Sequence, residues 1–243
     1  MNTLRRFGLY AWLFVASSLA VLASIVTRFG PPKFGSDATH ALARWWGRGM
    51  LRITGSICRV EGLDTIEGSG PYVILSNHRS HMDAPVLVAS LPFPFGFLVK
   101  KELMRIPIFA GAMKSIGCVE VNRDRDGSDH RVLDAVSEQI AQGRNILVFP
   151  EGTRSPNDDF LPFKNGGAVL AIKAGVPVLP VAVSGTNRVV PARILRVTPG
   201  PLLLRIGKAI PTSGLTMDDR YELMDDARRA IESMYVPDYR GDS

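Results

Sequence analysis

Cysteine is nearly missing from this chain: Cys58 and Cys118 are the only two in 243 residues. They lie far apart and match neither metal-binding nor redox spacing. That excludes a disulfide-framed scaffold and leaves two reduced thiols. Histidine is almost as sparse, with four residues. His78, His81 and Asp83 sit together, but the others, His40 and His130, are too distant in sequence to complete a metal site, so no metal is expected. The GxSxG elbow of serine hydrolases is absent. There are no internal repeats and no low-complexity tract, which excludes solenoids and disordered linkers. Basic residues are not interleaved with aromatics in any nucleic-acid-binding pattern, so no nucleic-acid partner is expected.

What remains is an apolar, basic chain. Hydrophobic residues make up 46% of it, ample for a packed core, and the length suits one α/β domain with terminal additions. The formal net charge is +6 and the pI about 9.6, a balance that attracts phosphates without choosing among nucleic acid, anionic lipid and small molecules.

From Phe7 to Thr27 there are 21 residues without a charge. As a helix this run is roughly 30 Å long, the thickness of a bilayer core. A membrane anchor, a cleaved secretory signal and a buried helix compete for it. The run exceeds the usual apolar length of a signal peptide, which favours the anchor over residues 1–35. The basic residues that follow it favour a cytoplasmic C-terminal domain at the inner membrane. After Pro31-Pro32, Ser36 is placed to cap a helix over 37–54. Arg44, Arg48 and Arg52 form one stripe of it, beside Leu42, Trp45, Trp46, Met50 and Ile53. Tryptophan with arginine suits a membrane interface, and the same pattern suits a helix packed on the domain with a solvated arginine face. Residues 36–56 are therefore expected as an amphipathic interfacial segment, and residues 57–243 as the globular domain.

Apolar runs predict strands at 57–62, 72–77, 95–99, 118–121, 146–149, 178–183 and 201–206. Helices are expected at 84–90, 103–115, 129–142, 166–174 and 217–235. Ser128 and Gly143 bracket the third of these, and Thr216 with Asp219 opens the last with a capping box. Alternating strands and helices argue an α/β fold with a mixed, largely buried sheet flanked by helices.

Four strand ends carry the chemistry. The first reads Asn77-His78-Arg79-Ser80-His81-Met82-Asp83. Imidazole is the usual base near neutral pH, and a carboxylate on its second nitrogen fixes tautomer and orientation. Along a regular helix His78 and Asp83 would point about 140° apart, so they meet only if His78 lies on a turn and Asp83 opens the next helix. The second end reads Phe149-Pro150-Glu151-Gly152-Thr153-Arg154-Ser155. Gly152 permits a tight turn, Arg154 offers a planar fork for phosphate, and Thr153 and Ser155 add hydroxyls. The third is Gly117 to Arg123, a short strand ending in arginine. The fourth is Lys100-Lys101, after the strand at 95–99. In open α/β sheets ligands bind at the carboxyl ends of strands, so one basic site with a His–Asp pair is the economical arrangement.

The first three of these blocks, with the proline-flanked strand VPVLPVA, resemble the membrane-bound glycerolipid acyltransferase family over about residues 55–190. His78 and Asp83 match its HxxxxD motif, Arg123 ends its second block, and residues 149–155 match its FPEGTRS block in full. The second block departs in having Asn122 where the family often has aspartate. The resemblance implies that His78 deprotonates the free hydroxyl of an acyl acceptor while Asp83 orients it. The oxygen would then attack the thioester of acyl-CoA or acyl-carrier protein. Arg154, Arg123 and Lys100 or Lys101 would hold the phosphate of the acceptor, 1-acyl-glycerol-3-phosphate (lysophosphatidate), with Glu151, Gly152 and Thr153 shaping the pocket. Phosphatidate would be the product, membrane lipids the surroundings, and no cofactor is implied. Another lysophospholipid or lyso-aminolipid acceptor, a membrane-anchored hydrolase using His78 and Asp83 on water, and a non-catalytic lipid adaptor are the alternatives.

Overall fold

The strand that the fold is built around is Val73–Ser76, every residue of which is buried. Its side chains alternate between two apolar layers, which is why it reads as a continuous run of Val, Ile and Leu rather than as an alternating one. Ile74 joins Leu147, Leu179, Val181, Val86 and Leu87 on one face; Val73 and Leu75 join Val136, Ile140, Leu170, Val178 and Ile231 on the other. Each such side chain contributes about 1.5–3 kcal/mol by leaving water.

The computed structural model describes residues 7–8, 11–12, 15, 32–68, 70–105, 110, 113–114, 116–121, 130–191 and 196–241. In chain order these hold α1 (Pro32–Thr54), β1 (Ile57–Glu61), β2 (Val73–Ser76), α2 (Asp83–Ser90), β3 (Gly96–Lys100), β4 (Val119–Val121), α3 (His130–Ala141), β5 (Ile146–Val148), α4 (Gly166–Ala174), β6 (Val178–Ser184), α5 (Thr186–Val189), β7 (Pro201–Ile206) and α6 (Arg220–Met234). The seven strands form one sheet in the order β1-β7-β6-β2-β5-β3-β4. From β6 to β4 all neighbours are parallel; β7 pairs antiparallel with β6 and parallel with β1. The mixed α/β sheet is thus as expected, and its parallel part delivers β2, β5 and β6 to one edge.

All seven predicted strands are present within a residue or so at each end. Helices differ more. α1 begins at Pro32 rather than after Ser36. Proline suits the first turn, where its missing N–H costs nothing, so the expected cap lies inside the helix. The segment predicted helical over 103–115 opens as a 3-10 turn, Lys101–Arg105, and much of the remainder lies outside the described residues. The predicted last helix splits into a 3-10 turn, Met217–Asp219, and α6, with the Thr216–Asp219 capping box formed. α5 was not anticipated.

α1 lies across α2. Gly47 permits this approach, since a methyl group there would sit 2.7 Å from the Pro85 carbonyl oxygen. Met50 and Thr54 are buried below, while Arg48 and Arg52 stay exposed. Trp12 packs against Trp45, ring centroids 4.4 Å apart and planes tilted by 48°, and donates its indole N–H to the Trp46 carbonyl. Among the described residues no helix is long and apolar enough to cross a membrane. Most of the uncharged run 7–27 lies outside them.

Candidate active site

Where β2 ends, Asn77 continues it in side-chain form. Its amide donates to the Val183 carbonyl at 2.9 Å and accepts from the Val183 N–H at 2.8 Å. This buried pair fastens the next residue, His78, to the end of β6. Four residues of loop follow, and Asp83 opens α2. Because His78 is on the loop and Asp83 is the first helical residue, the two side chains face each other, with Nδ1 and Oδ2 at 2.7 Å.

Asp83 is fully buried and saturated with donors. Oδ2 also accepts from the N–H groups of Arg79 at 2.7 Å and Ser80 at 2.8 Å, and Oδ1 accepts from the Thr186 hydroxyl at 2.5 Å. The amino end of α2 adds its dipole. Charge-assisted bonds of this kind are worth about 1.5–3 kcal/mol each. With both oxygens accepting, Nδ1 must carry the imidazole proton toward Asp83, leaving the Nε2 lone pair for a substrate. The ring is held in plane by Phe149, stacked at 4.0 Å and 12°. Ser80 secures the loop from below by donating to the Val190 carbonyl at 2.6 Å.

The turn after β5 is tied to this loop. The Ser155 N–H donates to the His78 carbonyl at 2.9 Å, and the His78 N–H donates to Glu151 at 2.8 Å. Glu151 is itself buried. It takes both of its bonds to Arg79 from one guanidinium nitrogen, at 2.7 and 2.8 Å, and accepts from the Leu161 N–H at 2.9 Å. Its carboxylate is engaged by protein groups, so it builds the wall of the site. The Arg79 guanidinium is only 1% exposed and lies between Phe160 and Tyr235, 4.4 and 5.3 Å from their centroids, where ring faces take the place of further acceptors. Burial pushes the Tyr235 phenol up strongly, with Asp158, which accepts its proton, adding to the effect.

Arg154 reaches over the turn and its guanidinium contacts His81 Nε2. For that nitrogen to accept, His81 must be neutral. Desolvation holds its pKa below the ordinary 6.5, and the Arg154 charge acts in the same direction. Gly152 takes the left-handed conformation, φ +73°, that the turn requires. Thr153 is exposed. Lys101 is exposed at the start of its 3-10 turn, and Lys100 ends β3, though its side chain lies outside the described residues, as does Arg123. The structure therefore brings His78, Asp83, Glu151, Gly152 and Arg154 together.

Asn77, Arg79, Ser80, Phe149 and Thr186 also build the site, although sequence gave none of them a role. The first four lie inside the two motifs. Thr186 had no local signal, since it is brought in from 103 positions away.

An imidazole oriented by a buried carboxylate, with no Ser, Thr or Cys side chain bonded to it among the described residues, activates a substrate hydroxyl or a water. It does not prime a protein nucleophile. General-base transferases and hydrolases are the class these features define. The Acyltransferase family pattern matches residues 57–184, and the chain belongs to that family. It is 29% identical over 227 residues to human 1-acyl-sn-glycerol-3-phosphate acyltransferase beta, covering 93% of this chain and 80% of that one. It is 33% identical over 177 residues to the human alpha enzyme, covering 72% of this chain and 62% of that one. Its fold is similar to the crystal structure of the 1-acyl-sn-glycerophosphate acyltransferase PlsC from Thermotoga maritima, with a TM-score of 0.82, 25% identity, and coverage of 100% and 98% of the two chains.

Proposed function

We propose that this acyltransferase moves a fatty acyl group from a thioester, acyl-CoA or acyl-carrier protein, to the free hydroxyl of 1-acyl-glycerol-3-phosphate, giving phosphatidate for phospholipid synthesis. The observation that carries the reading is the Ser155–His78 backbone bond, which joins the Arg154 turn to the loop of the base. An anionic group held by Arg154 thereby lies beside the imidazole. His78 Nε2 takes the hydroxyl proton as the oxygen adds to the thioester carbonyl. The tetrahedral intermediate collapses, and the imidazolium returns the proton to the leaving thiolate. Asp83 stabilises the imidazolium between the two steps. Base catalysis of this kind supplies about 10²–10⁴-fold in rate, and orientation of the two substrates supplies much of the rest.

The same reading sets the enzyme on the cytoplasmic face of the inner membrane, anchored by residues 1–35. Its support is the uncharged run 7–27, the exposed Phe7 and Val15, and the exposed Trp45, Arg48 and Arg52 of α1.

The test supplies purified full-length protein with labelled acyl-CoA, or with acyl-carrier protein, and a panel of lysolipids differing in headgroup. Phosphatidate from lysophosphatidate is expected, and none from the His78→Ala protein. Preferred acylation of a headgroup-bearing lysolipid, or thioester cleavage at equal rate without any acceptor, would refute the assignment.

A further inference from the structure

We propose that Lys164 supplies the second cation for a substrate phosphate at the Arg154 turn, an inference that rests on the function proposed above. The family resemblance implied this role for Arg123 and for Lys100 or Lys101. Lys164 follows Arg154 by ten residues and lies outside the motif, yet the fold returns it to the turn. Its N–H donates to the Pro150 carbonyl at 2.9 Å, which pins its backbone beside residues 149–155.

Gly152 then explains where the side chain goes. A methyl group placed on Gly152 would lie 3.4 Å from Cε and 3.6 Å from Nζ of Lys164. The ammonium therefore rests over the face of the turn that glycine leaves bare, two residues from Arg154. Among the described residues no carboxylate forms an ion pair with Lys164. The nearest carboxylate in sequence on the turn, Glu151, is closed to it by Arg79, His78 and Leu161. Lys164 is exposed and takes no part in the core.

A phosphate monoester carries about −1.5 to −2 charges at neutral pH, more than one guanidinium balances. Arginine gives a planar, directional fork, whereas lysine gives a compact charge on a mobile stem. Arg154, fixed by His81, and Lys164, free to swing across Gly152, divide those tasks. The phosphate has two sources: the monoester of the acceptor, or the phosphates of the thioester donor.

Steady-state kinetics on full-length wild type, Lys164→Ala and Lys164→Arg distinguish them. The acceptor is varied at saturating donor, and the donor at saturating acceptor. Lys164→Ala should raise one KM by about 10- to 100-fold with Tm unchanged, and Lys164→Arg should recover most of it. A rise in acceptor KM places the monoester there; a rise in donor KM places the donor phosphate there. If neither KM moves in a folded protein, the inference is overturned. If wild type does not acylate lysophosphatidate, the proposed function fails on its own. Titration with inorganic phosphate, followed by ³¹P line width, then still tests Lys164, because loss of binding in Lys164→Ala is expected and equal binding refutes it.

Discussion

Replacing Glu151 by glutamine separates a wall of the site from a substrate contact. The carboxylate accepts four hydrogen bonds, two from one Arg79 nitrogen and one each from the His78 and Leu161 N–H groups. Glutamine retains one accepting oxygen, so its amide must face a donor, and the Arg79 charge is left uncompensated at 1% exposure. Removing one partner from a buried pair costs about 3–5 kcal/mol. For a chain of this size each kcal/mol lowers Tm by about 2–4 °C, so Glu151→Gln should lose about 6–20 °C by calorimetry. kcat should fall with it, because the His78 backbone loses its anchor. Adding Arg79→Met removes the stranded charge, so the double variant should be less destabilised than Glu151→Gln alone. A Glu151→Gln protein with Tm within about 2 °C of wild type and only a raised acceptor KM would refute this reasoning and make Glu151 a substrate ligand.

Asp83→Asn keeps an amide oxygen for the loop N–H groups but gives up the charge that strengthens four bonds, so Tm should fall by several degrees. In the protein that remains folded, kcat should drop by about 10²–10⁴-fold because no charge balances the imidazolium. Comparable kcat in the two proteins would rule out that role. His81 is expected to make acceptor binding pH-sensitive. Its pKa lies below 6.5, so the folded protein binds fewer protons than the unfolded chain, and stability from this residue is complete above 6.5 and is lost as pH falls through the folded value. Protonation also sets His81 against Arg154, so acceptor KM should climb on acidification in wild type and stay flat in His81→Gln. The thiols should be inert: burial raises Cys58 to about 11 and Cys118 to about 12. Mass-spectrometric alkylation at pH 8 should run about two orders of magnitude slower than for free cysteine until the protein is unfolded.

The strands were readable because the parallel part of the sheet is covered on both faces, and each of its strands is a short block of Val, Ile and Leu between turn residues. Helix geometry set the condition for a His78–Asp83 contact, a loop-to-helix boundary between them, while the expectation that they do meet came from the strand-end location and the motif resemblance. The start of α1 was misplaced because Ser36 looks like a cap and Pro32 looks like a break, while proline is at home in a first helical turn. α5 is four residues without periodicity. The partners that complete the site were hidden for another reason. Arg79 with Glu151, Asn77 with Val183 and Asp83 with Thr186 are pairs 72, 106 and 103 residues apart, and nothing local in either member announces the other. Lys164 was hidden likewise, because its place depends on a backbone bond to Pro150.

Those long separations bear on when the enzyme becomes active as it is made. His78 and Asp83 emerge from the ribosome together and early. Their geometry, however, waits on Val183, Thr186 and Val190, which leave the ribosome about a hundred residues later. At synthesis rates of about 5–20 residues per second, the nascent chain spends several seconds with the base present and unaligned. A thioester or lysolipid meeting the partial chain during that interval would find neither a fixed imidazole nor a finished pocket. The site is complete only once β6 lies beside β2 and the segment after it brings Thr186 and Val190 to the loop.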